Sequence, residues 1–185
     1  MQLLVKEFVK LLQKEIAMTK ENTKDLEKQR AEFAYDCVDE FLKKNEELKK
    51  IKKEIGEKKI NCQKNQDNQL CKKKKELEIY SSPSEYKSYV KKIPTLIQTN
   101  GLSATFAFMY SKKKTYLAIY KQVQKWLEKR GFEINEELVK WMISQPSSEY
   151  RHITNEVMAL FLWLRRFAEG RIEKGNENGE EKEEK

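Results

Sequence analysis

Turn-forming residues are scarce in this chain: 3 Pro and 6 Gly in 185 residues. A β-rich or alternating βα protein needs a tight turn after every short element, and the punctuation for that is missing. Lys and Glu dominate instead, and both are good helix formers. The expected class is therefore all-α, a compact helical bundle. Aromatic residues make up 10% of the chain, too many for a wholly disordered polymer. The length fits one helical domain, taken as residues 1–172. No apolar run approaches the ~20 residues of a membrane span; the longest covers residues 157–164. Residues 1–18 are apolar on one face only, interrupted by Lys6, Glu7 and Lys10, which is not the pattern of a signal peptide.

Helical periodicity carries most of the chain. Leu4, Phe8, Leu11, Leu12 and Ile16 share a face over residues 1–18. Asn22 or Thr23 then offers a cap for a second, long helix over residues 23–55, with a stripe through Leu26, Phe33, Cys37, Phe41, Leu48, Ile51 and Ile55. Residues 43–79 hold 13 Lys against 7 acids and no aromatic residue. This region, residues 43–80, reads as a protruding basic helical hairpin or arm, with a break at residues 61–69 and a short returning helix at 70–79. Ser82-Pro83-Ser84-Glu85 combines a Ser cap, a first-turn Pro and a capping-box Glu, so a helix starts there. Pro94 predicts a kink or break, and Thr99-Asn100-Gly101 a second one. Residues 102–110 form a central apolar helix. Gly131 caps the helix that carries Trp126, Asn135 caps a short one, and a last helix runs over residues 149–170. The predicted core includes Phe106, Phe108, Trp126, Leu160, Phe161 and Leu164. Residues 173–185 hold six Glu against three Lys and read as a disordered acidic tail.

The net charge is +8, which suggests a polyanionic partner such as RNA or DNA. Catalytic constellations are absent from the pattern. There are three Cys without close pairing and a single His, His152, which cannot supply the four ligands of a structural zinc site. The odd Cys count argues against a disulfide framework and for a reducing compartment, hence the cytoplasm. The four Asp (25, 36, 39 and 67) do not make the carboxylate cluster that a metal nuclease needs. No glycine-rich phosphate loop occurs. No cofactor, metal or enzymatic activity is expected. The basic clusters remain: Lys72–Lys75, Lys91-Lys92, Lys112–Lys114 and Arg165-Arg166. The first reads best as a solvated linker. The Arg pair can fork onto phosphate, or form a salt bridge at a helix C-terminus.

The stretch Ile93-Pro94-Thr95-Leu96-Ile97-Gln98-Thr99-Asn100-Gly101-Leu102, continuing through Ala104-Thr105-Phe106-Ala107-Phe108 to Ser111-Lys112, resembles the small-subunit family of the Cmr complex, the type III-B CRISPR RNA-guided effector. Two other stretches are similar to the same family: Gln29-Arg30-Ala31 with Ala34-Tyr35 and Val38, and Tyr150-Arg151, Thr154-Asn155-Glu156 with Trp163-Leu164-Arg165-Arg166-Phe167. The resemblance implies a non-catalytic helical subunit. Copies of it stack into an inner filament beside the backbone and large subunits, and a basic face helps hold the guide RNA–target RNA duplex. The residues assigned to that face are Lys112, Lys113, Arg165 and Arg166, with Arg151 and Arg30. Residues 1–22 and 43–79 exceed the usual family pattern. Two other readings stay open, a free-standing basic helical nucleic-acid-binding protein and a purely protein-binding structural adaptor.

Overall fold

A computed structural model describes residues 2–62, 68–112 and 114–173, with side chains from Thr23 onward. Among these residues there are seven α-helices and no strand. Helix α1 spans Gln2–Glu57 without interruption. The boundary expected at Asn22 or Thr23 does not form. Neither residue breaks a helix, each weakens it by only tenths of a kcal/mol, and no Pro or Gly occurs before Gly56. The helix ends just beyond Gly56, where Lys59 adopts φ 49° and the Ile60 N–H bonds back to the Ile55 carbonyl. The apolar face expected over residues 1–18 lies outside the described side chains.

Helix α2 (Gln69–Leu77) folds back onto α1 and makes the expected basic segment a hairpin. Asn68 caps α2 by accepting from the Leu70 N–H. Leu48 and Ile51 of α1 and Leu77 of α2 form a small separate core, with Ile55 and Tyr80 against it. Asn45 is 2% exposed and donates to the Tyr80 and Ser81 carbonyls, which pins the chain where it leaves the hairpin. Cys62 and Cys71 form a disulfide, with Cα atoms 5.4 Å apart. This corrects the expectation against disulfides and removes the cysteine-count argument for a reducing compartment: the fold-back of α2 supplies a closeness that residue spacing does not reveal. Cys37 is the free thiol, and it is buried.

Helix α3 (Pro83–Asn100) starts as expected, with the Ser82 hydroxyl accepting from the Glu85 N–H. It then continues through Pro94 without a break, where a kink or break was expected. An internal Pro costs a helix about 3 kcal/mol. Here Val90 and Ile93 before it and Ile97 after it are buried in one core, and that shared burial outweighs the loss. Gly101, at φ 84°, ends the helix. A conformation this far into positive φ explains why glycine stands there.

Helix α4 (Leu102–Lys112) turns Leu102, Thr105, Phe106 and Met109 inward. Phe108 points the other way and is 41% exposed, so it leaves the predicted core. A helix apolar all round gives no clue to which side is buried. Helix α5 (Thr115–Lys129) contributes Ile119, Val123, Trp126 and Leu127, and Gly131 follows at φ 86°. Helix α6 (Leu138–Ser144) is capped by Glu137 rather than by Asn135; its carboxylate accepts from the N–H groups of Val139 and Lys140. Helix α7 (Ser147–Arg171) brings Ile153, Val157, Leu160, Phe161 and Leu164 into the same core.

Buried polar groups tie the helices together. Gln122 of α5 donates to the Cys37 carbonyl of α1 and accepts from the Tyr86 hydroxyl of α3. Burying an amide this deeply is tolerated because both ends are bonded. Among the described residues no helix is long and apolar enough to cross a membrane.

Candidate functional site

The geometry of the site follows from the direction of three neighbouring helices. The Ser103 N–H, just past the end of α3, donates to the hydroxyl of Tyr150 near the start of α7. At the other end, Lys87 of α3 donates to the Glu169 and Ile172 carbonyls at the end of α7. The two helices are therefore antiparallel, and Lys87 satisfies carbonyls that the end of α7 leaves open. Helix α4 runs back along α3. Its Phe108 meets Tyr116 edge-on, and Tyr116 stacks on Tyr89 near the α3 start, with centroids 3.8 Å apart. The C-terminal ends of α7 and α4 thus flank the N-terminal half of α3.

This arrangement gathers several of the cations singled out above. Arg165 and Arg166 of α7 and Lys91 and Lys92 of α3 are all exposed, and Arg165 and Lys91 meet where the two helices pack. Arg165 donates to Glu169 at 3.1 Å, and Lys91 pairs with the same carboxylate at 3.2 Å. The bond from Arg165, then that from Lys91, hold the Glu169 carboxyl below the usual carboxylate range. Of the two readings of Arg165, the ion pair at the helix end forms, and the side chain remains exposed. Arg166 lies over the Trp163 ring at 5.0 Å. A cation over an indole face is attracted by the ring, and the Arg166 side chain stays exposed there. The Trp163 N–H in turn donates to Glu27 at 2.8 Å, which fixes the ring. Periodicity in α7 does not reveal this support, because Glu27 comes from α1.

Lys112 stands at the end of α4, exposed, with its ammonium 5.3 Å from the Phe108 ring. Lys113 lies outside the described residues. Arg151 is exposed in the first turns of α7 and donates to the Ser147 carbonyl. Arg30 is elsewhere. Its side chain is 11% exposed and ion-paired to Glu156 and Glu27 between α1 and α7, so little of it is left for an outside ligand. Lys73 pairs with Glu47 across the hairpin.

His152 is exposed, with its ring 5.8 Å from that of Phe132. Among the described residues no three of His, Cys, Asp and Glu are grouped so as to hold a metal ion. Exposed cations of this kind can present positive charge to a polyanion. A family model described as CRISPR-associated protein (Cas_Cmr5) matches residues 63–171, the segment that contains α2 through α7 and so most of these cations.

Proposed function

Because the chain belongs to the Cmr5 family of CRISPR-associated proteins, and so to the subunits of a Cmr complex in CRISPR defence, we propose that it is the non-catalytic small subunit of a type III-B effector. In this reading copies stack into an inner filament beside the backbone and large subunits in the cytoplasm. Each copy holds the guide RNA–target RNA duplex by its phosphates. The supporting observation is the pair Arg165 of α7 and Lys91 of α3, which share Glu169 while both stay exposed, with Arg166 and Lys92 exposed beside them in sequence. Lys112 and Arg151 are further exposed cations of the same reading, and Lys113 belongs to it from the sequence alone; Arg30 acts only through the fold.

Such a surface needs no base contacts. Pairing between guide and target reads the sequence, while protein cations position the backbone. One copy neutralises few phosphates and binds weakly. Stacked copies raise the effective concentration and make the weak contacts sufficient.

The test is a Lys92→Glu, Arg166→Glu double variant in a complex reconstituted with the remaining subunits and guide RNA. The variant co-assembles, target RNA binds more weakly, and the log–log salt slope becomes shallower by about one unit for each lost phosphate contact. Unchanged RNA affinity would make the chain a protein-binding adaptor only. Tight RNA binding by the isolated chain, unaffected by the other subunits, would make it a free-standing binder.

A further inference from the structure

The hairpin formed by the end of α1 and by α2 is held unevenly. Its base is fixed to the bundle. Asn45 holds the Tyr80 and Ser81 carbonyls, and Tyr80 packs edge-on against Phe41 of the main core. Leu77, at the end of α2, is buried against Leu48 and Ile51. Towards its start α2 buries one residue only, Cys71, at 7% exposure, and that residue is bonded to Cys62 beyond the end of α1. The Lys73–Glu47 pair across the hairpin is exposed on both sides, and such pairs contribute little. Helix α2 has nine residues, too few to persist in water without tertiary support. The disulfide is therefore the main tie on its first turn.

The two sulfurs differ in access. Cys62 is partly exposed, whereas Cys71 is buried. A small thiol can reach the Cys62 sulfur from solvent, with Cys71 as the departing group. Lys59 stands three positions before Cys62, and Lys72 follows Cys71; positive charge nearby favours a thiolate. The stability of the bond is linked to that of the fold around it. A few buried side chains give the pair only a modest effective concentration, so the bond stays within reach of an external thiol couple. The two residues are nine positions apart, and a short loop is where closure stabilises least.

We propose that Cys62 and Cys71 form a thiol–disulfide exchange site for a small thiol of the glutathione class, and that its oxidation state sets the order of α2. One thiolate attacks the Cys62 sulfur. A bond forms between them, the Cys62–Cys71 bond breaks, and Cys71 leaves as a thiolate and takes a proton. A second thiolate attacks the small-molecule sulfur of this mixed disulfide and frees Cys62, which takes a proton in turn. Two small thiols are thus oxidised to one disulfide, and the cysteine pair gains two electrons and two protons. The reverse reaction closes the bond. Reduction loosens the first half of α2 and changes how Lys72–Lys75 are presented, while Leu77 and Tyr80 keep the base in place. The cytoplasmic setting rests on the functional reading above. There a permanent disulfide is rare, and a redox-sensing one is the usual kind.

The test equilibrates the purified full chain, under native conditions, with mixtures of reduced and oxidised glutathione. Mass after alkylation in denaturant reads the bond, since the disulfide form leaves only Cys37 to label. Hydrogen exchange reads α2. In about a hundredfold excess of reduced glutathione the dithiol should predominate, and oxidised glutathione should restore the disulfide without unfolding the bundle. Amides of α2 should exchange about tenfold or more faster in the reduced form, with α7 unchanged. A Cys62→Ser, Cys71→Ala variant should exchange like the reduced chain in every mixture. A bond that survives that excess overturns the proposal and makes the pair a permanent staple. A bond that never closes in oxidised glutathione overturns it as well, and so does equal α2 exchange in the two forms. All of these readouts use the isolated chain, so they stand or fall separately from membership of an effector complex.

Discussion

Arg30 of α1 donates from Nη2 to Oε1 of Glu156 on α7 at 2.6 Å, with side-chain exposures of 11% and 5%. Arg130, after α5, reaches the other Glu156 oxygen at 3.5 Å. One buried carboxylate therefore joins three parts of the bundle, and Glu27 supplies a further acceptor for Arg30. Removing Glu156 takes the shared acceptor from both arginines, leaving Arg30 only Glu27. Glu156→Ala is expected to destabilise the fold by about 3–5 kcal/mol, measured by urea titration. A loss under about 1 kcal/mol, the size of an ordinary hydrogen bond, would show that the two arginines find other partners.

Two aromatic and aliphatic side chains from similar sequence surroundings should behave differently. Leu160 has no exposed surface and lies in the main core. Leu160→Ala is expected to cost about 2–5 kcal/mol. Phe108, also within an apolar run, projects from α4, and Phe108→Ala should stay within about 1 kcal/mol, since an exposed position keeps little burial to lose. Equal losses at both positions would place Phe108 back in the core.

That contrast marks where the sequence is legible. The all-α class follows from the missing turn residues, and the Ser82 cap and the glycine stops at Gly101 and Gly131 are local chemistry that needs no tertiary contact. Arg165 and Arg166 are readable as a pair on one helix. What sequence cannot show is set by neighbours. The continuity of α3 through Pro94 depends on core contacts on both sides. The inward side of α4 is chosen by α3, α5 and α6, because its own pattern is apolar all round. Arg30 looks like a surface cation in a family motif, yet Glu156, 126 positions away, takes it into the interior. The Cys62–Cys71 pairing likewise exists only once α2 lies on α1.

The cysteines give a graded prediction. Burial pushes the Cys37 thiol up to about 12, with the Glu40 carboxylate adding to the effect. Its thiolate is therefore scarce at neutral pH, and the thiol is shielded as well. In the native protein a thiol-reactive disulfide reagent at pH 8 should find almost nothing. After mild reduction it should find Cys62 and Cys71, and in denaturant all three. Opening the short loop they close should destabilise the hairpin by about 2–3 kcal/mol, visible as faster hydrogen exchange in α2 than in α7. Rapid native labelling of Cys37 would contradict its place in the core.

The Glu137 cap gives a pH dependence with a definite sign. Burial works to raise its pKa, but the Tyr120 hydroxyl and the N–H groups of Val139 and Lys140 all donate to the carboxylate and overcome it, so the folded-state value is lowered. A group with a depressed folded pKa binds a proton more readily when unfolded. Its stabilising contribution is thus fully present above the ordinary glutamate value and is lost as pH falls through the lowered folded value. Glu137→Gln keeps the shape and removes the titration. Other carboxylates also destabilise the fold in acid, and Glu169 and Asp39 are lowered too, so the informative quantity is the difference between wild type and variant. That difference in unfolding free energy, from urea titrations at a series of pH values, should be largest near pH 7 and shrink on acidification. A difference independent of pH would remove Glu137 from the set of titrating caps, and a difference that grows in acid would reverse the assignment and make the protonated carboxyl the stabilising form.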